Sequence, residues 1–270
     1  LTKAAVGSAS SVPDTDVPAY EVMEFAPKTA RYCIVIPVIN EGERIGRQLV
    51  DMHRLGQAQA ADIIIADGGS QDGSLEHAML CANGVSVLLT KTGAGKLSAQ
   101  LRMAYAYALD RGYEGIITID GNGKDSVQSI PLFIDALDRG VDYAQASRFI
   151  SGGKAINTPR SRELAIKFLH APILSLAARR RYTDTTQGFR AYSRRYLLHP
   201  RVQPLRDVFM TYELLAYLTV RASRLGLKTE EIPTTRAYPD HGPIPTKINM
   251  AGNIDLMKII FCTLAGRYNP

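Results

Sequence analysis

Asp120 closes the β-branched run Ile116-Ile117-Thr118-Ile119, and Asn122 and Asp125 follow it in the loop Gly121-Asn122-Gly123-Lys124-Asp125. A buried parallel strand delivers ligands in this way, at its carboxyl end and outside the sheet. Carboxylate and amide oxygens in one tight loop suit a hard divalent cation and the phosphates it would hold. Asp, Asn and Gly also build ordinary surface turns, so the loop gains meaning only from its company. Two more apolar runs end alike. Residues 33–38 lead into Asn40-Glu41-Gly42-Glu43, and residues 63–66 into Asp67-Gly68-Gly69-Ser70-Gln71-Asp72-Gly73. One acidic turn is a turn; three at the same sheet edge are a site.

The elements that must position these loops read as alternating strand and helix from residue 31 onward. Strands are expected over 33–38, 63–66, 85–89, 116–119 and 143–146. The first helix places Ile45, Leu49 and Met52 on one face, and Asn40 with Glu43 has the spacing of a capping box. A second long helix runs through Leu97, Leu101, Ala104, Tyr105 and Ala108, and another starts near Pro131. The second half is less regular: a helix over 163–178 interrupted by Pro172, a short strand over 189–192, a helix over 210–224 and a strand over 229–232. Units of this size predict an α/β fold, a mostly parallel central sheet with helices on both faces. Residues 1–29 read as an extended arm. Residues 30–270 read as one domain, more regular over 30–147 than over 148–270.

Composition narrows the class. The 270 residues are 46% apolar and 21% charged, enough to bury a core. Cys33, Cys81 and Cys262 form no metal or CxxC spacing, which predicts a reduced, cytoplasmic protein. No signal-like segment is visible, and the apolar stretch 254–264 is too short to span a bilayer and carries Asp255 and Lys258. Net charge is +6 but uneven: residues 148–224 hold 13 Arg and 2 Lys against 2 Asp and 2 Glu, or +11, leaving −5 elsewhere. Such asymmetry suits an anionic ligand or an anionic membrane surface. Nucleic acid is disfavoured, because the arginines are not interleaved with stacking aromatics.

Dinucleotide and classical phosphate-loop signatures are absent: no GxGxxG follows the first strand, and Thr92-Gly93-Ala94-Gly95-Lys96 lacks the GxxxxGK[ST] spacing. His53, His77 and His170 lie in helical patterns. His241 stands instead in the loop Tyr238-Pro239-Asp240-His241-Gly242-Pro243, and it and Lys247 are candidates to touch a ligand phosphate.

Four further stretches fall in a telling order: Ile36-Pro37-Val38-Ile39-Asn40-Glu41, Ala66-Asp67-Gly68-Gly69-Ser70-Gln71-Asp72-Gly73-Ser74, Ala146-Ser147-Arg148-Phe149, and Asp184-Thr185-Thr186-Gln187-Gly188-Phe189-Arg190-Ala191-Tyr192. With the Asp120 loop between them and the stretch 211–233 after them, they resemble the family 2 glycosyltransferases, which have the GT-A nucleotide-sugar fold. The resemblance covers about residues 31–250. From Arg148 onward it is most similar to dolichyl-phosphate mannose synthases and related bacterial polyprenyl-phosphate sugar transferases. It implies a nucleotide-binding half over 30–147 and an acceptor-side half over 148–270, with Pro37, Asn40, Glu41 and Asp67 holding base and ribose and Lys96 and Arg102 flanking the nucleotide. Asp120 and Asn122 fall on the family's metal-binding pair, which coordinates Mg2+ or Mn2+ on the diphosphate, Arg148 and Arg162 on its phosphate-binding arginines, and Gln187, Gly188 and Arg190 on its acceptor-side motif.

Two departures stand out. Asn122 replaces the pair's second aspartate, and Lys124 stands where the lipid-phosphate synthases have a further metal ligand. Asparagine supplies oxygen without charge; Asp125 could compensate, or Lys124 could neutralise diphosphate as a point charge. The reaction implied is inverting transfer of a sugar from a nucleoside-diphosphate sugar, with Asp120 and Arg148 in the catalytic centre. A polyprenyl phosphate acceptor is already ionised and needs no base. A glycan hydroxyl would need one, for which Asp184 and Glu213 are the candidates. A catalytically weak sugar-nucleotide binder and a GT-A-like nucleotidyltransferase are the competing functions. The protein is expected to touch an anionic membrane peripherally at most, at its inner face.

Overall fold

The computed structural model describes residues 16–239 and 250–270, with side chains from 254 in the second stretch. In chain order the first half runs β1 (Tyr20–Glu24), β2 (Tyr32–Val38), α1 (Glu43–Arg54), α2 (Gln57–Ala60), β3 (Asp62–Asp67), α3 (His77–Ala82), β4 (Val85–Lys91), α4 (Leu97–Asp110) and β5 (Gly115–Thr118). The second half runs α5 (Ile130–Asp138), β6 (Tyr143–Ser147), β7 (Lys154–Ile156), α6 (Arg160–Ala165), α7 (Ala171–Ala178), β8 (Arg190–Ser193), α8 (Arg194–Leu197), α9 (Glu213–Arg224), β9 (Thr229–Pro233), β10 (Thr235–Ala237) and α10 (Met250–Leu264).

Eight strands form one sheet in the order β1-β4-β3-β2-β5-β8-β6-β9, and β10 pairs with β7 beside it. Strands β4, β3, β2 and β5 are mutually parallel, as are β6 and β9. Strands β2, β3 and β5 are buried at every position, which is why they read as continuous apolar runs rather than alternating ones. Successive residues still face opposite ways: Cys33 and Val35 join the core under α4, α7, α9 and α10, whereas Ile34 and Ile36 join the core under α1 and α5. The chain steps outward from β2 to β4 and then returns to the other flank of β2 as β5. That reversal opens the crevice where ligands bind in such sheets.

Several expectations change in detail. The segment read as an arm contributes β1, an antiparallel edge strand in register from Tyr20↔Lys91 to Glu24↔Val87. Ile45, Leu49 and Met52 are buried as expected, but no capping box forms: Gly42 caps α1 with φ 57° and no side-chain bond. Asn40, at φ 48°, instead accepts from the Gln71 amide at 2.8 Å, and the Gly42 amide donates to Asp72 at 2.8 Å. Stitching two neighbouring strand-end loops together outcompetes the local cap. Pro172 does not break its helix either. One π turn, Ile166–His170, links α6 to α7 and puts Pro172 in the first turn of α7, where the wider turn absorbs the missing amide.

Asp62, at the start of β3, ties three segments together. It is 2% exposed and accepts from the Thr29 amide (3.0 Å), the Thr29 hydroxyl (2.7 Å), the Ala30 amide (3.1 Å) and the Tyr113 hydroxyl (2.8 Å). Burial alone would raise its carboxyl pKa; the Thr29, Ala30 and Tyr113 bonds outweigh it and hold the pKa below the ordinary range. The resulting stability is complete above the ordinary carboxylate pKa and is lost as pH falls through the lower folded value. Asp62→Ala, leaving these donors unpaired, is expected to cost about 3 kcal/mol in denaturant melts. Asp62→Asn should flatten the acid limb of the stability–pH curve; an unchanged limb would contradict the assignment.

Candidate active site

Asp120 lies two residues beyond β5 at the switch point. The Ile119 amide donates to Val35 O at 3.1 Å, so the loop starts as a continuation of the β2–β5 ladder. Strand β8 runs antiparallel between β5 and β6, with Arg190 opposite both Thr118 and Gln145. Its approach loop, residues 184–189, therefore arrives at the same edge as Asp120 and Arg148. The two loops touch: a β-carbon on Gly188 would overlap the Asp120 carboxylate. Glycine at 188 is a requirement of that close approach.

Charged groups dominate this edge. Arg148 and Asp184 form an ion pair, Nε to Oδ2 at 2.7 Å, with side chains 1% and 0% exposed. Asp184 also accepts from Gln187 Nε2 at 2.7 Å and from the Thr186 amide and hydroxyl at 3.1 and 3.0 Å. Burial would raise its pKa, but Arg148 and Gln187 outweigh burial and hold it below the ordinary range. On the other side of Asp120 stands Arg236 from β10. Its Nη1 meets Asp125 Oδ2 at 2.5 Å and its Nη2 meets Asp120 Oδ2 at 3.4 Å. A backbone bridge between residues 125 and 236 reinforces the contact. Burial pushes the Asp125 carboxyl up despite Arg236, whereas Arg236 itself is driven up by Asp125 and Asp120 against its own burial.

Tyr238 completes the cluster. Its hydroxyl accepts from Arg162 at 3.0 Å, and Lys124 lies over its ring at 5.4 Å. Burial would raise its pKa, yet Arg236, Arg162 and Arg148 together bring it down to about 8. Desolvation, then Arg236, depresses the Lys124 ammonium. Buried Arg148 Nη1 and Arg236 Nε have no hydrogen-bond partner among the described residues. Unsatisfied guanidinium N–H groups at a buried, cationic edge are what an incoming phosphate oxygen would satisfy.

The remaining sequence candidates divide. Asn40, Glu41 and Asp67 share the neighbouring loops: Asp67 Oδ1 accepts from Ser70 N and Oγ at 2.9 and 2.7 Å, and Arg44 binds Glu41 at 2.8 Å. Pro37 sits in β2 beside them. Lys96 is exposed at the start of α4, and its amide donates to Met210 O at 2.7 Å, beside the start of α9. Glu213, the first residue of α9, accepts from both the amide and the hydroxyl of Thr211 at 2.6 Å. Arg102 and Arg190 bond mainly to neighbouring parts of the fold, although Arg102 Nε is buried without a hydrogen-bond partner among the described residues. Arg102 reaches Asp16 O, Leu205 O and Met210 Sδ; Arg190 reaches Gln187 O, Leu215 O, Thr185 O and Thr219. Gln187 supports Asp184 and accepts from Thr234 at 3.2 Å. His241 and Lys247 lie outside the described residues.

No group of three His, Cys, Asp or Glu side chains placed to hold a metal occurs among the described residues. With Asp125 bound to Arg236, the loop offers Asp120 and the Asn122 amide oxygen, which accepts from the Lys124 amide at 3.2 Å. Two oxygen donors suffice for Mg2+ or Mn2+ when diphosphate oxygens and water complete the octahedron. Sequence reading missed Arg236 and Tyr238. Their only signal was alternation after Pro233, which says nothing about which loop they face.

The model of glycosyl transferase family 2 matches residues 33–199. The chain belongs to that family. This transferase is 28% identical over 214 residues to the undecaprenyl-phosphate mannosyltransferase of Micrococcus luteus, covering 76% of this chain and 83% of the relative. Glucosyl-3-phosphoglycerate synthase of Mycobacterium tuberculosis, solved with Mn2+, UDP and glucosyl-3-phosphoglycerate, superposes with a TM-score of 0.62 at 16% identity, over 89% of this chain and 80% of that one. A second mycobacterial structure superposes at 0.63 with 17% identity, over 89% and 74%. The fold is GT-A, the α/β architecture expected, and the chain is a glycosyltransferase.

Two outcomes test this geometry. Gly188→Ala should displace Asp120 and reduce turnover at least a hundredfold, with the circular dichroism spectrum retained; near-normal turnover would refute the close approach. One tyrosine should ionise near pH 8 in a spectrophotometric titration and be lost in Tyr238→Phe. A first ionisation only near pH 10 would contradict the cationic cluster.

Proposed function

We propose that this transferase moves a hexosyl group from a nucleoside-diphosphate sugar to a polyprenyl phosphate, with inversion at the anomeric carbon. The observation that carries the proposal is the cluster of Arg148, Arg162 and Arg236 beside Asp120, two of them with buried unpaired N–H groups. The Micrococcus luteus relative, named for undecaprenyl phosphate and mannose, supports the same acceptor and suggests mannose as the sugar.

A phosphate acceptor is already an anion at neutral pH, so the nucleophile needs no general base. That suits a site in which both base candidates are committed: Asp184 to Arg148, Gln187 and Thr186, and Glu213 to Thr211. The donor's base and ribose would lie along Pro37, Asn40, Glu41 and Asp67, with Lys96 at the mouth. Asp120 and Asn122 would hold Mg2+ or Mn2+, which supplies positive charge to the leaving diphosphate. Lys124 adds a fixed charge to the same loop. Arg148, Arg162 and Arg236 hold the attacking phosphate, opposing its repulsion from the diphosphate. A lipid acceptor also places the protein at a membrane surface. No described helix is long and apolar enough to cross one.

Of the three site arginines Arg162 is the least bound up in the fold, donating to Tyr238 alone among the polar contacts described. Arg162→Gln should raise KM for polyprenyl phosphate about tenfold, the size of one charge-assisted hydrogen bond, and leave the nucleotide-induced thermal shift intact. An unchanged acceptor KM would count against the proposal. Chelation should abolish transfer and Mn2+ should restore it, whereas full activity in chelator would assign the diphosphate to Lys124 instead.

A further inference from the structure

The helix that carries Arg162 leaves an apolar stripe facing outward. Along α6, the π turn and α7, Leu164, Phe168 and Leu176 are 56%, 75% and 68% exposed, and Leu169 and Pro172 are exposed between them. Their four- and eight-residue spacing keeps them on one side of the helix. The opposite side is already in use, since Ile166, Ala171, Leu174 and Ala178 are buried. Helix α10 packs against α7 and exposes Ile254 and Phe261 at 59% and 51%. A soluble helix turns its apolar stripe to the core. Each of these packed helices also turns large apolar side chains outward, and exposed apolar surface of this kind marks an interaction surface.

Charge borders the stripe. Lys167 lies within it, paired with Glu163, and Arg179, Arg180 and Arg181 follow α7 directly. At the carboxyl ends of α7 and α9 a depression of about 260 Å3 is lined by Arg179, Arg201, Arg221 and Arg224, with Ala178 and Ser223 and no acidic residue. Arg221 spends its guanidinium on Arg201 O and Asn269. The side chains of Arg179, Arg201 and Arg224 make no ion pair among the described residues. The neighbouring depression, lined by Ala177, Arg221, Arg224 and Leu264, joins this basic end to α10.

We infer that the outer face of α6, α7 and α10 docks the protein on a bilayer bearing anionic lipid. Phe168, Leu176 and Phe261 enter the headgroup–acyl boundary, and the arginine depression takes lipid phosphates. Apolar insertion flanked by Lys and Arg is the composition that binds such surfaces, each basic residue near the surface adding attraction to anionic lipid. A second copy fits less well: a two-fold contact across the stripe would bring two arginine clusters to a shared border. The purpose of docking, though not the docking itself, rests on the proposed polyprenyl phosphate acceptor. Arg162 lies in the first turns of the docked helix, so acceptor phosphates at the bilayer surface would meet the cationic cluster.

The test is co-sedimentation of the full chain with phosphatidylcholine vesicles and with vesicles containing phosphatidylglycerol, alongside turnover of a short-chain, water-soluble polyprenyl phosphate. Wild type should sediment with the anionic vesicles, and less so as salt rises. Phe168→Ser/Leu176→Ser and Arg179→Glu/Arg224→Glu should each weaken sedimentation at least tenfold while soluble-acceptor turnover stays unchanged. These side chains are exposed, so a retained melting temperature checks folding. Three results would overturn the inference: wild type left in the supernatant, variants sedimenting like wild type, or a wild-type dimer that the Phe168 and Leu176 substitutions dissociate. Vesicle binding without turnover of any polyprenyl phosphate would remove the acceptor proposal and leave the docking face standing.

Discussion

The Arg236 guanidinium, buried between Asp125 and Asp120, is the contact on which the site depends. It comes from β10, more than a hundred positions after the loop it meets, and it fixes that loop by an ion pair and a backbone bridge together. Burying these charges is unfavourable in itself, and only close geometry with several hydrogen bonds offsets it. Removing one partner of such a pair typically costs about 3–5 kcal/mol, because the other charge stays buried and unpaired. The placement of Asp120 thus depends on the folding of residues 184–237, which bring Gly188 and Arg236 to it. Gly188 enforces the same dependence from the other side, by letting the 184–189 loop press against the carboxylate.

Charge in the site is arranged in pairs with a cationic surplus. Asp184 offsets Arg148, Asp125 and Asp120 offset Arg236, and Arg162 and Lys124 gather around Tyr238. Against the effect of burial, Arg236, Arg162 and Arg148 hold the Tyr238 phenol below its ordinary range. A site meeting a diphosphate and an attacking phosphate must hold two anions close together, and preorganised guanidinium groups do so without reorganising during the reaction. Carboxylates already committed to arginine and amide donors are poorly placed to take a proton from a hydroxyl.

The strand ends were legible because buried parallel strands appear as continuous apolar runs and their polar termini stand out. Asp67, Asp120 and the Asn40–Glu41 turn needed only that contrast and a parallel sheet to fall on one edge. Inward-facing arginines were not legible. Arg102 and Arg190 fall where the resemblance puts a nucleotide-flanking and an acceptor-side residue, yet the carbonyls of Leu205, Leu215 and Thr185 take up most of their donors. Asp125 reads from loop composition as a cation ligand, and composition does not show that Arg236 pairs with its Oδ2. The capping box at Asn40 failed similarly, since Gln71, on another loop, takes the side-chain oxygen. In each case local spacing was read correctly and a partner far along the chain decided the outcome.

If the arginine cluster exists to hold an acceptor phosphate, the most direct measurement compares two acceptors that differ only in that group. Donor sugar is supplied with a polyprenyl phosphate or with the corresponding free polyprenol at equal concentration, and product is counted under identical metal and detergent conditions. Glycosylation of the phosphate alone, with no product from the alcohol, is the expected result. Comparable glycosylation of the free polyprenol would contradict it, because that site would have to supply a general base that the bound states of Asp184 and Glu213 leave it without.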